Sequence, residues 1–204
     1  MSERMAALIL AAGSSSRLGE PKQLIRFCDE RLMDRAIRIA HEAGASPIFV
    51  VLGADLEQML ETLKDNPHQP RILINRAWEL GMSSSIALGA AAAERAGAEN
   101  LLVMTCDQVA VTPEHLHQLA HASRHEHVVA SHYHERRGLP ALFPEFTYHV
   151  LQELDGDNAA RELLQNDAVL TVPLRNGEFD VDTPESLEKL RRMEAAECVK
   201  RAGV

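Results

Sequence analysis

Short apolar runs alternate with helical patterns along the chain, and this alternation constrains the fold more than any other feature. The runs are brief and hydrophobic at consecutive positions, as in strands that are covered on both faces. They are Ala7–Leu10, Ile48–Leu52, Arg71–Ile74, Leu101–Thr105, Val128–Ser131 and Val169–Val172. The helical stretches between them are Leu32–Ala43, Leu56–Leu63, Ser83–Arg95 and Pro113–Ser123. The pattern predicts an α/β fold, a three-layer open, mostly parallel sheet with helices on both faces.

One segment, around residues 133–166, breaks this alternation because Gly138, Pro140 and Pro144 interrupt it. We interpret it as an insertion that closes over one side of the site. A chain of 204 residues that is 46% hydrophobic can bury one sizeable core, so we expect a single domain over residues 1–204. Ligands of open α/β sheets bind beyond the carboxyl ends of the strands, which directs attention to the loops there.

Charge and cysteine content narrow the class of partner. A net charge of −9 argues against nucleic acid, because phosphate backbones attract basic surfaces. No apolar run approaches the roughly 18 residues that a membrane span requires. The cysteines Cys28, Cys106 and Cys198 form no C-x-x-C pair, which is typical of reduced thiols. We therefore expect a cytoplasmic protein that binds neither nucleic acid nor membrane.

The loop that follows the first apolar run carries groups suited to a polyphosphate. Backbone N–H groups from Gly13 to Ser16, Ser14 among them, could surround phosphate oxygens, with Arg17 as a bidentate donor and Lys22 as a point charge. The spacing is not that of a Walker A loop, in which Lys directly follows the second glycine. The alternative is an ordinary strand-to-helix turn with solvent-facing cations.

Carboxylates stand at two further positions where ligands are expected. Asp107 follows the apolar run Leu101–Thr105. Asp180 and Asp182 precede a further predicted helix, which Thr183-Pro184-Glu185 opens with a capping hydroxyl and a proline at the first helical position. Oxygen ligands of this kind suit Mg²⁺, which bridges to substrate phosphates. Each carboxylate could also cap a turn or a helix, and the sequence leaves open whether Asp180 or Asp182 lies nearer a metal.

Taken together, these segments resemble the MobA-like nucleotidyltransferase family, and most of all its molybdenum cofactor cytidylyltransferase branch. The resemblance covers nearly the whole chain, with a signature from Leu8 to Leu24. Further matching segments are Gly81–Ser85, Cys106–Gln108, Gly138–Phe143, Gly156–Arg161 and Asp180–Pro184. Two departures are visible: Val109 stands where the family usually has proline, and the glycine usual near Asn158 is missing. The resemblance implies a Rossmann-like nucleotidyltransferase fold, in which residues 133–166 close over the acceptor side.

The resemblance also implies roles for individual residues. Arg17, Lys22 and Asp107 are the expected catalytic residues, and Asp107 and Asp182 the expected ligands of Mg²⁺. The expected nucleotide-binding residues are Leu10, Ala11, Ala12, Gly13, Ser14, Arg17, Lys22, Asn75, Gly81, Ser83 and Asp107. The expected acceptor-binding residues are Gly138, Pro140 and Asp157. Guanylyltransferases of the family resemble Leu-Ala-Gly-Gly at the first of these segments, so Ala12 favours CTP over GTP.

The expected function is Mg²⁺-dependent transfer of CMP from CTP to the terminal phosphate of molybdopterin, with release of pyrophosphate. A molybdoenzyme or its chaperone is then an expected partner. The alternatives are a guanylyltransferase, a nucleotidyltransferase for another phosphorylated metabolite, and a non-catalytic carrier of nucleotide or cofactor. A zinc site at His117, His121 and His125 is less favoured than a solvated helix face, because no H-E-x-x-H motif accompanies them. Cys106 is interpreted as a small buried residue and not as a nucleophile.

Overall fold

The computed structural model describes residues 4–124, 126–156 and 159–201. A seven-stranded sheet contains β1 (Met5–Leu10), β4 (Ile48–Leu52), β5 (Arg71–Ile74), β6 (Asn100–Thr105), β7 (Val129–Tyr133), β8 (Arg136–Pro144) and β9 (Leu170–Pro173). A two-stranded hairpin is formed by β2 (Arg26–Phe27) and β3 (Glu30–Arg31). The helices are α1 (Leu32–Glu42), α2 (Leu56–Leu63), α3 (Met82–Arg95), α4 (Pro113–Ser123), α5 (Tyr148–Gln152), α6 (Ala159–Leu164) and α7 (Pro184–Arg201). Among the described helices, none is long and apolar enough to cross a membrane.

The seven-stranded sheet is mostly parallel, as predicted. Its order is β5-β4-β1-β6-β8-β7-β9, and β8 pairs antiparallel with both of its neighbours while the other pairings are parallel. After β1 the chain moves outward to β4 and β5, then returns across β1 to form β6. The order therefore reverses between β1 and β6, and a crevice opens at the carboxyl ends of these two strands.

Helices cover both faces of the sheet, and β1 shows why. Met5, Ala7 and Ile9 share one apolar cluster with α1, α2 and α4. Ala6 and Leu8 point to the other face and share a cluster with α3, α5 and α6. Because side chains alternate along a strand, a strand covered on both faces must be apolar at every position, as β1 is. The predicted three-layer α/β fold is confirmed.

The segment around 133–166 differs from the interpretation of it as an insertion. Its residues Arg136–Pro144 form β8, which lies inside the sheet between β6 and β7. Prolines are rare in central strands because they donate no hydrogen bond. Here the pairing of β7 and β8 shifts between Ala130 and Ser131, so that Leu139 and Pro140 fall in the irregularity and need no ladder partner. This part of the segment belongs to the sheet, although its turn residues suggested an addition to it.

The last helix packs against the segment that follows β1. Leu187 and Leu190 of α7 share a third apolar cluster with Leu18 and Ile25. The start of α7 is held by Thr183, whose Oγ1 accepts a hydrogen bond from the Ser186 N–H at 3.2 Å. This contact caps the helix as the Thr-Pro-Glu sequence predicts. Asp182, one residue before the cap, is thereby fixed beside the loop Gly13–Ser16 and Arg17, which follows β1. We call residues Gly13–Ser16 the Gly/Ser loop.

Candidate active site

The loop after β1 and the loop after β6 face each other across the crevice where the strand order reverses. Lys22 begins the short 3-10 helix Lys22–Leu24, and Asp107 lies two residues beyond β6. The Asp107 carbonyl accepts a hydrogen bond from the Val181 N–H at 3.3 Å, which brings the segment before α7 to the same place. Three parts of the chain that are far apart in sequence therefore meet at one edge of the sheet.

An ammonium group lies between two carboxylates at the centre of this crevice. Lys22 Nζ donates a short hydrogen bond to Asp107 Oδ2 and another to Asp182 Oδ1 at 2.6 Å. Arg17 Nη2 donates to Asp182 Oδ2 at 3.2 Å, although its side chain is mostly exposed. The structure thus brings together the four charged residues to which the resemblance assigned phosphate and metal binding, namely Arg17, Lys22, Asp107 and Asp182.

Burial and opposite charge act against each other on Lys22. Burial disfavours the ammonium, but the charges and hydrogen bonds of Asp107 and Asp182 outweigh this effect and raise the pKa of Lys22 above its usual range. The amine is therefore protonated at neutral pH and available to bind an anion. A lysine with this environment suits charge neutralisation and not general base catalysis.

Asp180 is a third carboxylate of this site, and the residue is partly buried. Burial, followed by the negative charges of Asp107 and Asp182, raises the pKa of the Asp180 carboxyl to about 7. Its Oδ1 is buried and has no hydrogen-bond partner among the described residues. Lys22 contacts Asp182 and not Asp180, so Asp182 is the carboxylate that shares a cation with Asp107.

The donor set fits a divalent cation that binds together with a phosphate ligand. Within the described ranges no cluster of three or more His, Cys, Asp or Glu side chains could enclose a metal alone. Asp107 Oδ1, however, is buried without a hydrogen-bond partner, and carboxylate oxygens are the ligands that Mg²⁺ prefers. Mg²⁺ commonly binds through one or two carboxylates and completes its shell with waters and substrate phosphates. A cation held by both Asp107 and Asp182 would take the position of the Lys22 ammonium.

The Gly/Ser loop is held from beneath by side chains that sequence reasoning missed. Gln23 is 1% exposed, and its Nε2 donates to the carbonyls of Ala11 and Gly13 at 2.8 and 3.0 Å. Ser15 has a positive φ of 53°, and its Oγ accepts from the Lys22 N–H at 3.1 Å. Gly13 and Ser14 are exposed, which leaves this part of the loop open to a ligand. The sequence shows only a glutamine directly after Lys22, and the burial that reveals its role is visible only in the structure.

Next to this loop, a glycine allows two elements to approach closely. A Cβ added to Gly53 would lie 2.6 Å from Trp78 Cγ and 2.8 Å from the Ala12 carbonyl oxygen. The Ala12 carbonyl also accepts from the Ala54 N–H at 2.9 Å. The indole of Trp78 therefore packs beside the loop after β4, close to the segment expected to contact the base.

The predicted nucleotide residues Asn75, Gly81 and Ser83 lie together, but two of their side chains are engaged with the protein. Asn75 Nδ2 donates to the hydroxyls of Ser84 and Ser85, both at 2.9 Å, and its Oδ1 accepts from the Ala77 N–H. Ser83 Oγ donates to the Gly156 carbonyl at 2.5 Å. Gly81 has a φ of 102°, which favours glycine at the start of α3. Asn75 and Ser83 thus shape this loop, and their contact with a nucleotide stays a prediction.

On the acceptor side, the structure describes two of the three predicted residues. A Cβ added to Gly138 would lie 2.3 Å from the Tyr133 hydroxyl, and the Pro140 carbonyl accepts from Ser131 Oγ at 2.6 Å. Asp157 lies outside the described residues. Buried Gln108 joins this side to the centre, because its Nε2 donates to the carbonyls of Leu139 and Gly177, both at 3.1 Å. Gln108 is a second support that the sequence did not single out.

The described side chains support neither a cysteine nucleophile nor a zinc site formed by histidines. Burial, with a smaller contribution from Asp107, raises the pKa of the Cys106 thiol to about 12, so a thiolate nucleophile is disfavoured. His125 lies outside the described residues, and His117 and His121 are exposed on α4. His115, which is buried, is engaged with Ser131 Oγ at 2.8 Å.

The fold is that of a nucleotidyltransferase, and comparison with known proteins identifies the family. Residues 7–172 match the model of the MobA-like NTP transferase domain. The chain therefore belongs to the MobA-like NTP transferase family, as the sequence resemblance predicted.

Curated relatives extend over most of the chain. A purine catabolism protein, PucB of Bacillus subtilis, is 27% identical over 195 residues, which cover 91% of this chain and 95% of the relative. Nicotine blue oxidoreductase of Paenarthrobacter nicotinovorans is 28% identical over 197 residues, which cover 90% and 94%. A probable molybdenum cofactor guanylyltransferase of Opitutus terrae is 27% identical over 120 residues, which cover 59% and 56%.

Solved structures share the whole architecture. A homologue of Rv0371c from Mycobacterium sp. strain JC1 superposes with a TM-score of 0.80 at 26% identity, covering 95% of this chain and 98% of the other. Rv0371c of Mycobacterium tuberculosis, solved in complex with manganese, superposes with a TM-score of 0.75 at 21% identity, covering 92% and 97%. The fold of the chain is thus a known nucleotidyltransferase fold.

Proposed function

We propose that this protein transfers CMP from CTP to the terminal phosphate of molybdopterin, with a divalent metal, and releases pyrophosphate. The observation that carries the proposal is the Lys22 ammonium between Asp107 and Asp182, at the point where the strand order reverses. Beside it lies an exposed Gly/Ser loop with a second cation, Arg17. This is a set of groups for aligning a nucleoside triphosphate and neutralising its charge.

The reaction needs no general base on the protein. The terminal phosphate of a phosphate monoester is largely dianionic near pH 7, because its second pKa is about 6. One of its oxygens attacks the α-phosphorus of CTP, a new P–O bond forms, and the bond to the β-phosphate oxygen breaks with both electrons leaving on pyrophosphate. The protein contributes alignment and electrostatic stabilisation, as in other phosphoryl transfers.

The cations of the crevice have separate tasks in this scheme. Asp107 and Asp182 would hold Mg²⁺ or Mn²⁺, which when bound polarises the α-phosphoryl group and screens the triphosphate charge. Lys22 and Arg17 would bind the β- and γ-phosphates and stabilise the negative charge that accumulates on the departing pyrophosphate. The manganese complex of M. tuberculosis Rv0371c supports a divalent ion in this fold.

The choice of cytosine rests on Ala12. This side chain is 7% exposed at the end of β1, beside the exposed residue Gly13. Family members that use GTP resemble Leu-Ala-Gly-Gly here, and the methyl group of Ala12 removes space that a larger base would need. Choice of molybdopterin as acceptor is supported by the family and by the name of the Opitutus terrae relative, which is a guanylyl enzyme.

The test is a transfer assay with molybdopterin, Mg²⁺ and CTP or GTP labelled at the α-phosphate. We expect label from CTP to join the pterin and unlabelled pyrophosphate to appear. Ala12→Gly should shift the preference towards GTP. Ala7→Gly, at a buried alanine of the preceding strand β1, serves as the matched control that keeps the preference for CTP. Transfer from GTP alone would contradict the choice of base, and formation of CDP would contradict the reaction class.

A further inference from the structure

Side-chain packing holds Ala11 and Ala12, which belong to the apolar clusters on the two faces of the sheet, but it does not extend to Gly13. An added Cβ on Gly13 would have nothing within 4 Å, so neighbouring side chains do not confine the loop there. Its carbonyl groups are instead all engaged with the protein. Gln23 Nε2 donates to the Ala11 and Gly13 carbonyls, and the Ala54 N–H donates to the Ala12 carbonyl. The carbonyls of Ala11 and Gly13, the two residues that flank Ala12, thus depend on the Gln23 side chain.

The Gln23 side chain is more costly to bury than an apolar one of the same size. It is 1% exposed, and its Oε1 has no hydrogen-bond partner among the described residues. A buried acceptor without a partner lowers stability, and leucine would fill a similar volume without that penalty. The orientation of the amide follows from its surroundings, because both neighbouring backbone atoms are acceptors and require the NH₂ group. What glutamine adds at this position is therefore the pair of donors.

We infer that Gln23 is a positioning residue that sets the nucleobase specificity by fixing the peptide group before Ala12 and the peptide group after Gly13. The inference rests on the proposed function, in which this segment contacts the base. The two hydrogen bonds from one planar amide fix the Ala11–Ala12 and Gly13–Ser14 peptide planes, and the Ala54 N–H holds the Ala12–Gly13 plane between them. Together these planes set the direction of the Ala12 methyl group. A base that meets a rigid segment is discriminated by small differences in shape, whereas a mobile segment adapts to several bases.

The experiment compares Gln23→Leu with Gln108→Leu. Both glutamines are buried, and both donate from Nε2 to two backbone carbonyls, but Gln108 does so on the acceptor side. For each protein we would measure kcat/KM for CTP and GTP, the Kd of both nucleotides by calorimetry, and the melting temperature. We expect Gln23→Leu to reduce the CTP-to-GTP ratio about tenfold, mainly through KM. Gln108→Leu should leave that ratio within about twofold of the unmodified protein.

A purely structural role would lower the melting temperature of both variants and leave both ratios unchanged, which would overturn the inference. If Gln23→Leu fails to fold, Gln23→Met, which keeps an unbranched chain without donors, is measured in its place. Failure of the proposed function is distinguished by the unmodified protein. If that protein transfers no nucleotide, the proposed function is wrong, whereas an unchanged ratio in an active Gln23 variant contradicts only the role of Gln23.

Discussion

The two sides of the crevice are built differently. On the proposed nucleotide side, Gln23 and Asp107 are 1% and 4% exposed. Gln23 donates to the backbone that directly follows β1, and Asp107 joins the loop after β6 to Lys22. On the acceptor side, the turn between β7 and β8 consists of His134 and Glu135, both exposed and both with positive φ. Arg136, at the start of β8, is also exposed, with its guanidinium 5.6 Å from the centre of the Tyr133 ring.

The difference in burial between the two sides indicates that the groups binding the triphosphate must be positioned more precisely than those binding the acceptor. Transfer from any nucleoside triphosphate requires the same alignment of phosphates and cations, so the groups that bind them lie in a rigid framework. The acceptor differs among enzymes of one fold, and an exposed hairpin can vary without disturbing the parallel strands. Substitutions on the proposed nucleotide side should therefore affect turnover or the KM of the nucleotide, and those on the proposed acceptor side should affect the KM of the acceptor.

The largest effect is expected from Asp107→Asn. It removes a carboxylate that binds Lys22 and is the proposed ligand of the metal, so pyrophosphate release should fall about 10³-fold. Glu99→Gln, at the opposite end of β6, removes the salt bridge with Arg4 at 3.1 Å and is the control. Turnover of Asp107→Asn within tenfold of the unmodified protein would be inconsistent with the proposed site.

A second prediction separates the two tasks of Lys22. Lys22→Met should lower turnover about 10²-fold, because the triphosphate loses a point charge. The same change should strengthen binding of Mn²⁺ without nucleotide, since the ammonium no longer occupies the position between Asp107 and Asp182. Paramagnetic resonance of free Mn²⁺ measures this directly. Arg17→Met should change Mn²⁺ affinity less, because the Arg17 side chain is mostly exposed and donates to Asp182 but not to Asp107 among the described contacts. Weaker Mn²⁺ binding in Lys22→Met would refute the competition.

The third prediction concerns the pH dependence of stability, to which the buried His115 beside β8 should contribute. Burial lowers the pKa of His115 to about 4, and its Nε2 lies 2.8 Å from Ser131 Oγ, which itself donates to the Pro140 carbonyl. The unfolded chain, with an ordinary histidine pKa near 6.5, binds a proton more readily, so stability should fall as pH decreases from about 6.5 to 4. The loss by pH 4 is about 3 kcal/mol.

Chemical denaturation between pH 7 and pH 4 measures this loss. His115→Gln should reduce the pH dependence in that interval, whereas His121→Gln, on the exposed face of the same helix, should leave it as it is. A stability profile that is the same in the unmodified protein and in His115→Gln would exclude His115 as its source.

The smallest effect is expected at Gly138. In Gly138→Ala the new Cβ would lie 2.3 Å from the Tyr133 hydroxyl, which must move and weaken its 3.1 Å hydrogen bond to the Leu139 carbonyl. The KM of the acceptor should rise several-fold, and the Kd of CTP should not change. A change in the Kd of CTP equal to the change in KM would show that the two sides are not separate.

Sequence patterns predicted the parallel half of the sheet well, because its inner strands β1, β4 and β6 are buried on both faces and almost entirely apolar. The bounds of β4 and β5 match the prediction, and β1 and β6 differ from it only at their first residues. The strand β8 was missed, since Gly138 and Pro140 normally indicate a turn. Only the irregular pairing opposite Ser131, a property of two strands together, makes proline acceptable there.

The charged residues of the site could be predicted because they follow strands that end at one edge of the sheet. Which of them touch could not, since the contact of Lys22 with Asp182 depends on the packing of α7 against the segment after β1. The supporting roles of Gln23 and Gln108 could not be predicted from the sequence for a related reason. A glutamine is ordinary on a surface, and only burial reveals that its donors hold the backbone.

The most direct test of the central claim is a calorimetric titration of the protein with CTP and with GTP, each with Mg²⁺, repeated on Asp107→Asn. The account predicts that CTP binds more tightly than GTP and that binding of both is greatly weakened in the variant. Equal binding of CTP by the unmodified protein and by Asp107→Asn would contradict it, because the crevice between β1 and β6 would then not be the nucleotide site.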